Sequence, residues 1–250
     1  VSRVLSHVVL ITVQGLGAGA GLSNGENHRR GNSTVAHVAD YVGGLSLPTL
    51  AWLGLGNTAA VRGLAPAEPP AASWGIIEPD ASPGALAGHT DALQSLLRGA
   101  GLSAVIAGAD LDVAAPPTAL FRRVTASLER ASSGLIIARF DPESGHSPSP
   151  VTMARRLSAF DAALGDWLDT IGQDRDVLVL VTSATGLDPV LHASSAPAGE
   201  PTALLAFSPL VPSGVSLGQI DSLADVMATA AEALGATMGG GRSFLGAVIG

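Results

Sequence analysis

Short aliphatic runs along the chain alternate with longer segments in which apolar side chains return every third or fourth position. The runs Val8–Val13, Ala104–Ala107, Leu135–Phe140, Val177–Thr182 and Ala203–Phe207 have the length and β-branched content of buried strands. Between them, the 3.6-residue period predicts helices. Ser33 or Thr34 caps a first helix that sets Val35, Val38, Ala39 and Val42 on one side and stops at Gly43-Gly44. Further helices are predicted over Pro48–Leu55, Asp91–Gly99, Thr118–Ala131, Val151–Ile171 and Ser222–Leu234. In the long fourth of these, Met153, Leu157, Phe160, Leu164 and Trp167 form a stripe that reads as core. Strand and helix in alternation predict an α/β fold, a three-layer sandwich whose mostly parallel sheet is covered on both faces. No internal repeat is visible, and residues 1–250 read as one domain.

Composition narrows the function. A hydrophobic content of 47% suffices for one large core, and no run approaches the roughly 20 apolar residues of a membrane span. The net charge of -8, with every basic residue an Arg and none a Lys, gives no dense basic face for a phosphate backbone, so nucleic acid is not an expected partner. The bias to Arg, Ala and Gly is that of a GC-rich, actinomycete-like genome. With no cysteine, any metal would have to be held by His, Asp or Glu. A soluble cytoplasmic protein is the expectation.

Glycines follow the first strand at positions 15, 17, 19 and 21, at the kind of strand end where open α/β sheets bind ligands. A dinucleotide loop is a poor explanation, since no acidic partner follows at the proper distance. Ser33 lacks the Gly-x-Ser-x-Gly setting of a hydrolase nucleophile.

Two stretches carry a family resemblance. Gly31-Asn-Ser-Thr-Val-Ala-His-Val-Ala-Asp40 resembles the helix-opening motif of phosphopentomutases, and Leu45-Ser-Leu-Pro-Thr-Leu-Ala-Trp-Leu-Gly-Leu-Gly-Asn57 resembles the segment that follows it. The likeness continues at Gly88-His89, Asp141 to His146, Phe160-Asp161, Thr182 to Pro189 and Gly241-Arg-Ser-Phe-Leu245. It implies an alkaline-phosphatase-like core. The family's cap domain, inserted after the segment that holds His89, is missing here, and the deletion falls near residues 100–117.

The resemblance also implies where phosphoryl-transfer groups should stand, and most are replaced. Gln14 occupies the place of the first-strand metal-binding Asp, Ala85 that of the nucleophilic Thr, and Ala184 and Thr185 those of the Asp and His ligands. Asp141 and His146 keep the spacing of a ligand pair, with Glu143 between them, and are the residual candidates for a single cation. No cofactor and no resident metal are therefore expected. Asp141, His146, His89 and Gln14 are the candidate catalytic residues, Asp141 beside His146 being a simple proton-transfer pair. Glu143, Ala85, Ala184, Thr185, Ser33 and Thr34 are expected to line the ligand site.

A pocket stripped of metal ligands suits a neutral, largely apolar small molecule. The expected function is a repurposed, metal-independent enzyme of specialised-metabolite biosynthesis, performing a cyclisation, isomerisation or elimination by positioning and acid–base help. Two alternatives stand beside it: a non-catalytic binding protein, paired with itself or a relative through the surface left by the cap, and a residual one-metal phosphatase or mutase.

Overall fold

A computed structural model describes residues 5–17, 33–78, 85–108, 115–142, 149–171, 176–183, 201–211 and 213–249. In chain order the elements are β1 (His7–Val13), α1 (Thr34–Val42), α2 (Pro48–Leu53), α3 (Leu55–Thr58), β2 (Ser73–Ile77), α4 (Ala85–Gly99), β3 (Ser103–Ala107) and α5 (Pro117–Arg130). They continue with β4 (Gly134–Phe140), α6 (Pro150–Ile171), β5 (Val177–Thr182), β6 (Thr202–Phe207), β7 (Ser216–Ile220), α7 (Leu223–Ala233) and α8 (Leu245–Ile249).

The strands form one seven-stranded sheet in the order β3-β4-β1-β5-β6-β2-β7. All are parallel except β6, which runs against both β5 and β2. Because β1 lies between β4 and β5, its side chains are buried on both faces, as its aliphatic run requires. Val9, Ile11 and Val13 join Phe121, Val124 and the α6 stripe in one core, whereas Val8 and Leu10 meet Leu93, Leu97, Val226 and Met227 in the other. Thus α1, α2, α5 and α6 cover one face of the sheet and α4, α7 and α8 the other, which is the three-layer α/β sandwich that the alternation predicts.

Four elements escape the sequence pattern. The strands β2 and β7 are absent from the expected set because Trp74-Gly-Ile-Ile77 is short and β7 is mostly exposed. Helices α3 and α8 hold only four and five residues. In addition, α4 begins at Ala85, six residues before the predicted start at Asp91, because Ala87 and Gly88 face solvent and give no apolar signal there.

Several stretches that carry the family resemblance are fasteners of this fold. The buried carboxylate of Asp161, on α6, accepts hydrogen bonds from Leu50 N (2.7 Å) and Thr49 N (3.1 Å). It thereby caps α2, whose own Leu47 offers no side-chain oxygen. Asn57 ties down the loop ahead of β2 by accepting from Ala67 N at 2.9 Å and donating to Ala67 O at 3.1 Å. Near the chain's end, Arg242 N donates to Asp225 Oδ1 at 2.6 Å and Phe244 N to Thr229 Oγ1 at 3.0 Å, which lays that segment along α7.

Candidate functional site

Three neighbouring parallel strands, β4, β1 and β5, end together. Val13 pairs with Phe140 and Thr12 with Thr182. Gln14 and Asp141 therefore emerge side by side at the carboxyl edge of the sheet, with buried Ser183 one residue lower at the end of β5, where ligands bind in open α/β sheets.

Gln14 and Asp141 meet there. Backbone Gln14 N donates to Phe140 O at 3.0 Å, locking the two strand ends together. The amide of Gln14, oriented by its partners, donates from Nε2 to both Oδ1 and Oδ2 of Asp141 at 3.2 Å each. Both side chains are half-buried. A carboxylate that accepts an N–H on both oxygens is oriented toward a neutral donor.

The next residue sets the shape of the floor. Gly15 has φ +87, and a Cβ added to it would overlap Met153 Cε of α6 and lie 3.6 Å from Thr34 Cγ2. Only glycine accepts both that conformation and that approach. Ser33, the N-cap of α1, donates from Oγ to Gly17 O at 2.9 Å and accepts from Ala36 N at 3.3 Å. Thus Ser33 and fully buried Thr34 sit against the turn that carries Gln14, and the Ser33 hydroxyl holds that turn.

Ala85 opens α4, and half-buried His89 stands in its second turn, in the helical layer on the other face of the sheet from Met153 and Thr34. His146, Glu143, Ala184 and Thr185 lie outside the described residues. Three further residues were not singled out as site residues, although Thr182 and Ser183 open a stretch that carries the resemblance. Thr182 and Ser183 are fully buried at the end of β5, and Thr182 Oγ1 has no hydrogen-bond partner among the described residues. Arg156, one turn into α6, places its guanidinium 5.5 Å from the centroid of Phe140, the residue before Asp141. Helical spacing from Met153 could have placed Arg156 on this end of α6, but not over that ring.

No family model matches the chain. Phosphopentomutase of Syntrophotalea carbinolica is 38% identical over 98 residues, covering 39% of this chain and 25% of that protein. Phosphopentomutase of an Anaeromyxobacter species is 36% identical over 129 residues, covering 50% of this chain and 32% of that protein. The matches thus span between a quarter and a third of the relatives' length. Among solved structures, Ps i-CgsB in complex with k-i-k-neocarrahexaose superposes with a TM-score of 0.55 at 12% identity, covering 94% of this chain and 73% of that one, a likeness of fold.

The chain is an α/β protein that shares its fold with that structure, its strands β4, β1 and β5 ending together. Part of the chain is similar to these phosphopentomutases, whose full length it does not span.

The metal ions that such a likeness implies do not fit the described residues. The described residues hold no group of three or more His, Asp or Glu side chains placed to share an ion. Where the first-strand carboxylate would stand, the amide N–H of Gln14 points at Asp141 and occupies the carboxylate face that a cation would need.

Proposed function

We propose that the chain is a metal-independent enzyme of specialised-metabolite biosynthesis, acting on a neutral, largely apolar small molecule at the carboxyl ends of β4, β1 and β5. The observation that carries this reading is the Gln14–Asp141 pair, in which an uncharged amide stands where the likeness to phosphopentomutases implies a metal-binding carboxylate. One carboxylate of fixed orientation is sufficient for a cyclisation, isomerisation or elimination. Asp141 takes a proton from one carbon of the bound molecule and returns it at another position or to a leaving group, so no external reactant is consumed. Gln14 holds the carboxylate in place, and the Gly15 turn, packed against Met153, fixes the strand end that carries Gln14.

Two measurements on the purified chain test the reading. Metal analysis after incubation with manganese, paired with a phosphate-ester hydrolysis assay, is expected to give neither stoichiometric metal nor turnover. A thermal-shift screen of neutral apolar metabolites is expected to find ligands whose stabilisation is lost in Asp141→Ala. Stoichiometric manganese and phosphate-ester hydrolysis that both vanish in Asp141→Ala would overturn it in favour of a one-metal phosphatase.

A further inference from the structure

Among the described residues the sheet has two open edges, and only one is guarded. At the first, β7 carries Gly218 at φ +67 and a register shift against β2 between Trp74 and Gly75. Such a bulge twists an edge away from further pairing. The second edge is β3, Ser103-Ala-Val-Ile-Ala107, which keeps an unbroken register with β4 and contains no charge, no proline and no bulge. An apolar edge without these devices invites another strand.

The side chains on β3 agree. Val105 is 39% exposed and Ile106 36%, although both sit in a sheet strand. Ala107 joins the core under α5 and α6, whereas Ala104 packs on the α4 side. Alternation therefore puts Val105 on the α5 side and Ile106 on the α4 side. Among the described residues, this edge thus presents a partly exposed apolar side chain on each face.

We propose that β3 is the isologous interface of a homodimer, in which it pairs antiparallel with β3 of a second copy about a two-fold axis at Val105. The register is self-complementary: Val105 faces its own counterpart and Ala104 faces Ile106 of the other copy. The charges of α4 fit the same axis. Leu102 N donates to Leu97 O at 2.9 Å, so the end of α4 and the start of β3 share a level. From there Val105 lies roughly 10 Å along β3, equal to roughly six or seven residues back along α4. That is the level of Leu93 and Gln94. An axis there sets the two α4 helices side by side and antiparallel, with Asp91 of each opposite Arg98 of the other.

The outer face of α4 is built for such an approach. Asp91 and Arg98 are exposed, with small Gly88, Ala92 and Ser95 beside them, and a Cβ on Gly88 would meet no heavy atom within 4 Å. Arg98 is already steadied by donating from Nη2 to Gln94 Oε1 at 2.7 Å. Two reciprocal opposite-charge pairs favour a second copy of this chain over an unrelated partner.

Sedimentation velocity over a range of concentrations tests the proposal, with circular dichroism showing that each variant is folded. The wild-type chain is expected to dimerise. Val105→Lys and, separately, Asp91→Arg are each expected to raise the dimer dissociation constant at least about tenfold. The double variant Asp91→Arg/Arg98→Asp is expected to return it to within about threefold of wild type. Asp91 is an exposed helix residue, so its arm stands even if Val105→Lys does not fold. A monomer at about 100 μM overturns the proposal, as does a dimer indifferent to both single substitutions.

Discussion

Gln14 and Asp141 end two adjacent parallel strands at the same height, and the Gln14 amide reaches both carboxylate oxygens at 3.2 Å. A neutral donor thus stands beside the carboxylate and fixes its direction. An acidic residue at this position would repel Asp141 unless an ion lay between them.

Gln14→Asp should therefore change both cation affinity and stability. Without metal, the variant loses a charge-assisted hydrogen bond and gains a like-charge neighbour, a cost of about 1.5–3 kcal/mol. Manganese should recover part of that loss in the variant and leave the wild-type melting temperature unchanged. Differential scanning calorimetry with and without manganese reads both effects, and a wild-type protein that responds to the ion as strongly as the variant would refute the argument.

Gly15 offers a second test, since its φ of +87 and the proximity of Met153 penalise any side chain. Gly15→Ala should destabilise the fold by about 1–3 kcal/mol. Part of this cost is contact with the flexible end of Met153 and part is backbone strain. In a Met153→Ala background the contact part disappears, so the same substitution should cost less there. Urea denaturation of the four proteins in the cycle isolates that difference, and equal costs in the two backgrounds would assign the whole effect to the backbone.

Much of the fold was legible because the strongest signals are local. The aliphatic runs became β1, β3, β4, β5 and β6, and the α6 stripe is buried along its length, Met153 through Trp167. What escaped was long-range. No local pattern could tell that β6 runs antiparallel between β5 and β2, or that β2 and the mostly exposed β7 extend the sheet. For the site, the family likeness drew attention to Gln14 and Asp141, and the structure brings them into contact. The positions of Thr182, Ser183 and Arg156 depended on strand register and on the approach of α6 to Phe140. The likeness is easy to understand at Asp161, Asn57 and the segment after Gly241, because those residues fasten helices and loops that any version of this fold must hold, whatever its chemistry.

Arg156 should be held by the ring beneath it. Its guanidinium lies 5.5 Å from the centroid of Phe140, which in turn stacks on Phe160 at 4.7 Å. A cation over an aromatic face that is partly shielded from water contributes about 0.5–2 kcal/mol. Phe140→Leu keeps an apolar side chain but removes the π face, so Arg156→Met should cost less in that background than in wild type. Chemical denaturation measures the coupling, and a coupling of zero would mean that the ring contributes only its volume.

The buried carboxylate of Asp161 yields a prediction about pH. Desolvation pushes its pKa above the ordinary 3.8, while the hydrogen bonds from Leu50 and Thr49 pull it back in part. With the folded value above the unfolded one, the folded state holds its proton more tightly between the two. The stability that Asp161 contributes is therefore complete below the unfolded pKa and declines as pH rises through the raised folded value. Asp161→Asn removes this dependence. It also sets an amide N–H against one of the two backbone donors that cap α2, an unsatisfied pairing that costs about 1–3 kcal/mol. Urea titrations from pH 4 upward, at spacings of about half a unit, should show the variant less stable than wild type at every pH. Because the wild-type advantage includes the declining component, the gap should narrow as pH rises. A gap that widens with pH would mean that the two backbone donors outweigh burial and that the Asp161 carboxylate is favoured as the anion.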